Sequence, residues 1–186
     1  MFSEAKVAQM AAFLLAQQPG NSMPFIKLIK LLYLTDKSGY DTLGYSISGD
    51  HPVSMPHGPV LSQTYDLIKG NPASPEAWDH WIKDEANYCV SLKSPYNSVE
   101  DLDELCPAEV DLLTDVNEKY GKMEAFALVD YLHNECTEWK DPNGSSFPIS
   151  VADILKDLGK SNEEIQNVTQ REREWRSLDQ ACASLK

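Results

Sequence analysis

The residues of this 186-residue chain whose types and spacing could do chemistry are four histidines, four cysteines and two lysines set in an apolar run. His57 lies in the turn Met55-Pro-His-Gly-Pro59, with Asp50, Ser54 and Ser62 close by in sequence. A Ser–His–Asp relay from these residues would make a hydrolase or transferase, but no pattern fixes a nucleophile beside a base. The alternative is that His57 hydrogen-bonds across its turn and locks the loop against the preceding helix. His133 and Cys136 are three apart on an expected helix and could face one ion, yet two ligands close in sequence fall short of a zinc set. Cys89, Cys106, Cys136 and Cys182 form no C-x-x-C pair and are expected to be reduced and mostly packed. The chain has no phosphate-binding loop, no G-x-G-x-x-G fingerprint, no H-E-x-x-H and no G-x-S-x-G. No cofactor and no metal are expected.

The elements that must position these residues are mainly helical. Ser3 caps a first helix to about Gln17, striped by Val7, Met10, Ala11, Leu14 and Leu15, and Pro19-Gly20-Asn21 stops it. Ser22 caps a second helix, with Pro24 in its first turn. From Phe25 to about Lys37 its apolar residues cover most of the circumference, which marks a central, buried helix with Lys27 and Lys30 on its one polar edge. Asp36 near that helix's C-terminus is unfavourable by about 0.3–1 kcal/mol, so an internal clasp is expected, from a lysine, the Met55–Pro59 amides or His57. Glycines and prolines between 38 and 58 forbid a long helix there. Tyr45–Ser48 and Val53–Met55 are expected to form a small hairpin around Gly49-Asp50, and Pro59 to start a third helix ending at Gly70. Tyr33 and Tyr65 would line one groove if both were exposed.

Asn71 to Glu76 is expected as a proline-rich turn, and Tyr88–Leu92 as a short strand that Pro95 ends. Helices follow from Pro107 to Tyr120, about Glu124 to Asn134, and Ser150 to Gly159. Ser161-Asn-Glu-Glu164 is a capping box for the last helix, whose stripe is Ile165, Val168, Trp175, Leu178, Cys182 and Leu185. Self-packing of that stripe would bury Trp175. Trp139, in a turn-rich run, either plugs the core or anchors a partner, and the core is favoured. The expectation is a mainly α fold: one compact helical domain of about six or seven helices over residues 1–145 with a small β-hairpin insertion, and a packed helical extension over 146–186.

Composition limits the function classes. A chain of this length needs no disulfide staples, and no stretch approaches the ~20 apolar residues of a membrane span. Glu4 and Lys6 among scattered apolar residues make no signal peptide, so a cytoplasmic location is expected. The net charge of −13 falls entirely within residues 71–157, which hold nineteen acids against six lysines. Ser94 to Glu118 alone carries eight acids and no Lys or Arg. That field repels phosphate backbones, so nucleic acid is not an expected ligand. It is either a solvated surface or a steering field for a basic protein partner.

Three segments, Lys27-Leu-Ile-Lys-Leu-Leu-Tyr-Leu-Thr-Asp36, Met55-Pro-His-Gly-Pro59 and Tyr65-Asp-Leu-Ile-Lys-Gly70, stand in this order within the first seventy residues. Together they resemble the Panacea domain, the SocA-like antitoxin family. The resemblance covers roughly residues 5–140, and the Tyr120-Gly121 helix end and Trp139 look like later family positions. It implies a mostly helical protein that neutralises a partner toxin by direct contact, without catalysis or cofactor, in a family that also turns up on phages and prophages and in chains with no evident toxin. Carried onto this chain, the partner-binding residues would be Lys30, Tyr33, Asp36, Met55, His57, Pro59, Tyr65 and Trp139. An adaptor delivering a bound protein to a protease, a phage-encoded inhibitor and a His57-dependent hydrolase are the other classes.

Overall fold

A computed structural model describes residues 2–70, 76–96 and 98–184 of the chain. The first helix, α1 (Glu4–Ala16), is capped by Ser3, whose side chain accepts from the Lys6 amide. Its apolar stripe is buried, and so are Gln9, Ala12 and Phe13 around it. Pro24 precedes α2 (Phe25–Thr42), the central helix. Leu28, Leu31, Leu32 and Tyr33 on α2 are at most 1% exposed, and the expected polar edge is buried with them: Lys27 is 8% and Lys30 1% exposed. Helices α5 (Pro107–Tyr120) and α6 (Ala125–Glu135) complete the bundle around α2.

Among the described residues there are eight α-helices rather than six or seven. The unexpected one, α4 (Glu76–Trp81), has six residues, too few to show a helical period, and it seats Trp78 in the core. The expected turn at residues 71–75 lies outside the described residues. Helix α2 runs five residues past Lys37, so Asp36 is not at its C-terminus.

The β structure exceeds one hairpin. Strand β1 (Ser22–Pro24), which takes the residues expected to open α2, pairs antiparallel with β5 (Cys89–Leu92), and β5 pairs with β4 (Ile82–Glu85). The second sheet has the order β3-β2-β6, with β2 (Pro52–Met55), β3 (Gly58–Leu61) and β6 (Phe147–Pro148). The hairpin in it is therefore β2–β3, not Tyr45–Ser48 with Val53–Met55. The turn is Pro56-His57, with Met55 opposite Gly58 and Ser54 opposite Pro59. Pro59 starts no helix; it sits in β3, and α3 (Ser62–Ile68) begins three residues later. Residues 45–48 are withdrawn from pairing because Ser46 and Ser48 bond a carboxylate on α2 instead.

Beyond the bundle, α7 (Val151–Asp157) is capped by Ser150, and α8 (Asn162–Ser184) opens with the expected reciprocal Ser161–Glu164 bonds. Ile154, Leu155 and Ile165 form a small cluster on Tyr40 of α2, with Val168 packed beside it. That covers only the first half of α8. Trp175 is 44% exposed and Leu178 62%, so the expectation of a buried Trp175 does not hold. The Trp175 ring meets Tyr45 edge-on at 6.4 Å and has the Arg171 guanidinium 5.6 Å from its centre. Cys182 is exposed, and Leu185 lies outside the described residues.

Two changes separate the halves of α8. Ile165→Ala is expected to cost about 2 kcal/mol in chemical denaturation, from lost burial and the cavity left. Deleting residues 177–186 should leave the denaturation midpoint nearly unchanged, because Leu178 and Cys182 in that segment are exposed.

Candidate functional site in the Pro-His-Gly-Pro turn

The turn between β2 and β3 is built from a sequence that allows little else. Pro56 fixes its own φ and cannot donate to the sheet. Gly58 takes φ +92°, a conformation side chains avoid, and its backbone passes close over two groups. A Cβ at Gly58 would stand 3.3 Å from Lys30 Nζ and 3.5 Å from the His133 ring.

Three side chains grip the turn from below. Lys30 Nζ, on α2, donates to the Pro59 carbonyl at 2.8 Å. Trp139 Nε1 donates to the Met55 carbonyl at 2.9 Å. His133, on α6, stacks on the Trp139 ring at 4.1 Å with the planes 16° apart. Trp139 thus packs from its loop against the core and holds the turn as well. Pro56 and His57 stand exposed at the tip, while Gly58 and Pro59 are buried.

The buried base is electrostatically costly. Burial pushes the Lys30 ammonium down to about 7, only partly opposed by nearby Cys136. His133 is likewise pushed below its ordinary value by burial and by Lys30, and its Nε2 has no hydrogen-bond partner among the described residues. Two cationic groups under one turn disfavour each other's charge.

The remaining expected site residues divide between structure and surface. Tyr33 is 1% exposed and donates to Glu138 Oε1 at 2.5 Å, so it lines no open groove with the half-buried Tyr65. Glu138 also accepts from Lys37 at 2.7 Å, and Lys37 reaches Asp157 of α7 at 2.5 Å. Burial opposes the Lys37 charge, but Cys136, Asp157 and Glu138 around it raise its pKa overall. Asp36 is clasped internally, though by none of the expected partners: Ser46 Oγ donates at 2.7 Å, the Ser48 amide at 2.9 Å, and Ser48 Oγ to the same carboxylate. Burial raises the Asp36 carboxyl to about 6 in spite of those donors.

The relay that would serve a hydrolase is not assembled. Asp50 accepts from the amides of His51, Gln63 and Thr64 and from the Thr64 hydroxyl, which points it at backbone rather than at His57. Ser54 is fully buried and its Oγ accepts from the Lys140 amide at 3.3 Å. His57 makes no hydrogen bond among the described residues, so it does not lock its loop in the manner expected; Lys30 and Trp139 do. His133 and Cys136 share no ion-facing arrangement, since one stacks on Trp139 and the other receives Lys37 Nζ at 3.5 Å. No group of three or more His, Cys, Asp or Glu among the described residues is arranged to hold a metal.

The family model described as antitoxin SocA-like, Panacea domain, matches residues 28–140. The chain belongs to this family. The matched span contains more than half the sequence and both ends of the clamp, from Lys30 to Trp139. No curated protein and no solved structure matches the chain. In this Panacea chain, sequence reasoning missed His133 as part of the clamp and Lys37 and Glu138 as a buried ion pair. A lysine inside an apolar helix requires an acceptor or counter-ion, and that requirement was the available signal.

Two outcomes test the clamp. Gly58→Ala should destabilise the protein by at least about 1 kcal/mol, because alanine resists the positive φ and its Cβ crowds Lys30 and His133. Lys30 binds fewer protons folded than unfolded between its folded pKa of about 7 and its ordinary value of 10.5. Its contribution is therefore fully present above the unfolded value and lost as pH falls through about 7. Lys30→Met should flatten the rise in stability measured by denaturation from pH 7 to 10.5.

Proposed function

We propose that this chain is a non-enzymatic, antitoxin-like protein that neutralises a partner toxin by direct contact through the Pro56-His57 tip and the surface beside it. The observation that carries this reading is the division of the turn into an exposed tip and a clamped base, in a chain whose family is that of SocA-like antitoxins. A recognition side chain on a preorganised turn loses little conformational freedom on binding. Met55, His57 and Tyr65 are the residues proposed to touch the partner, with Lys30, Pro59 and Trp139 holding them in place. Tyr33 and Asp36 act through the fold alone.

The acid-rich middle supports a protein partner over nucleic acid. Asp111, Asp115 and Glu118 lie exposed along α5, with Asp103 and Glu104 exposed just before it. Such a field raises the encounter rate with a basic protein and repels a phosphate backbone. No helix among the described residues is long and apolar enough to cross a membrane. A cytoplasmic site of action and a phage or prophage origin fit this reading. The exposed second half of α8 favours one alternative, an adaptor that presents its bound protein to a protease, since an adaptor needs a free tethering segment.

Co-expression with the product of the neighbouring gene tests the main reading. Wild type should restore growth, and a His57→Ala, Tyr65→Ala double variant should fail while remaining folded. Full rescue by the double variant would place the recognition surface elsewhere. Accelerated loss of the neighbour's product in the presence of this chain, dependent on residues 177–186 and on a host protease, would favour the adaptor.

A further inference from the structure

The β4–β5 hairpin ends in a residue that two separate penalties argue against. Asn87 and Tyr88 both take the left-handed conformation, with φ of 60° and 59°. Asparagine is common there, but a tyrosine is not, and glycine is what such a turn favours. The Tyr88 side chain is also 80% exposed, the most exposed of the large hydrophobic residues described. Strain on a residue that buries almost nothing does not serve the core.

Tyr88 borders a ring that already carries a cation. The Tyr88 carbonyl accepts from the Phe25 amide at 2.9 Å, which fixes the hairpin tip to the start of α2. The two rings meet edge-on at 6.2 Å. Lys69, at the end of α3, holds its ammonium 4.9 Å from the centre of the Phe25 ring and 5.4 Å from that of Tyr65. Among the described residues Lys69 forms no ion pair, and its ammonium lies over aromatic faces. Between Lys69 and the hairpin lies an open cleft of 470 Å³, bordered by Phe25, Tyr88, Asp84 and Glu85. The cleft therefore has two aromatic walls, of which Phe25 already holds a cation, and on its rim Asp84 beside Glu85, which Lys83 and Ser91 already bond.

We propose that this cleft is the receptor for a guanidinium side chain of the protein partner, which enters between Phe25 and Tyr88 and takes the Phe25 face now occupied by Lys69. This rests on the reading that the chain acts by binding a protein, and it extends the contact surface from Tyr65 to the hairpin tip. A guanidinium fits better than an ammonium: it stacks flat on a ring, sheds water more readily and pairs with a carboxylate through two N–H groups. The net charge of −13 draws basic surfaces toward this chain, and the rings then select a particular side chain. Lys69 covers the rings in the free protein and competes with the incoming group.

The test uses the full chain and a short probe, an end-blocked Gly-Arg-Gly-Arg-Gly peptide, with lysine and glutamate counterparts. In an NMR titration the arginine peptide should shift Phe25, Tyr88 and Lys69, the lysine peptide more weakly, and the glutamate peptide not at all. Tyr88→Gly should abolish those shifts while leaving the thermal unfolding midpoint unchanged or higher, because glycine takes this φ freely. Lys69→Ala should tighten arginine-peptide binding several-fold, whereas Lys122→Ala, which removes the same charge elsewhere on the surface, should not. Shifts that follow the acidic face of α5 instead, or that survive Tyr88→Gly, would overturn the proposal. A lowered midpoint for Tyr88→Gly would do the same, by showing that the ring supports the fold. Growth rescue by co-expression is a separate readout, so failure of the antitoxin reading and failure of the cleft are told apart.

Discussion

The arrangement rests on the burial of charge along α2. Lys27, Lys30, Tyr33, Asp36 and Lys37 are among the ionisable side chains this helix buries, and an unpaired buried charge is far costlier than the core it displaces. Each one is therefore met by a different part of the chain. Lys27 donates to the Gly121 carbonyl and Gln18, Lys30 to the Pro59 carbonyl, and Asp36 accepts from Ser46 and Ser48. Tyr33 and Lys37 share Glu138, and Lys37 also holds Asp157. Hydrophobic burial brings these segments together without direction, whereas the bonds from α2 fix where each one stops.

This constraint explains why the Pro-His-Gly-Pro turn has a fixed position. A two-residue turn on short strands has few contacts of its own and would otherwise move. Here the carbonyls on either side of the tip accept from Trp139 and Lys30, and Gly58 allows the backbone close enough for the lysine to reach. Burial disfavours the charge of the same lysine, so the clamp depends on a hydrogen bond more than on charge. Pro56 and His57 stay exposed at the outer edge, with Asp66 exposed and Tyr65 half-buried on α3. The family match spans this clamped turn, from Lys30 on α2 to Trp139.

The C-terminal helices follow a different logic. The family match ends at residue 140, before α7 and α8 begin. They are joined to the bundle by the Lys37–Asp157 pair, the Ile154–Leu155–Ile165 cluster on Tyr40 and the Arg171 bond to the Gly44 carbonyl at 2.5 Å. Past Trp175 the apolar spacing continues, but Leu178 and Cys182 are exposed.

What the sequence determined by itself was everything that follows from local pattern. The apolar circumference of α2, the caps at Ser3, Ser150 and Ser161, the Pro107–Tyr120 helix and the family motifs are all written in neighbouring residues, and each is present. What only tertiary structure decided was which distant groups meet. Lys27 and Lys30 looked like a wet edge because spacing cannot reveal that carbonyls of Gly121 and Pro59 lie above them. Tyr45–Ser48 looked like a strand until the need of Asp36 for donors claimed its serines, leaving β2 to pair with 58–61 instead. Trp175 looked buried because a stripe shows a helix can pack, while only the fold supplies something to pack on. Hydrogen bonds between residues a hundred positions apart, such as Tyr33 to Glu138, leave no mark on local periodicity, and those bonds set the shape of the candidate site.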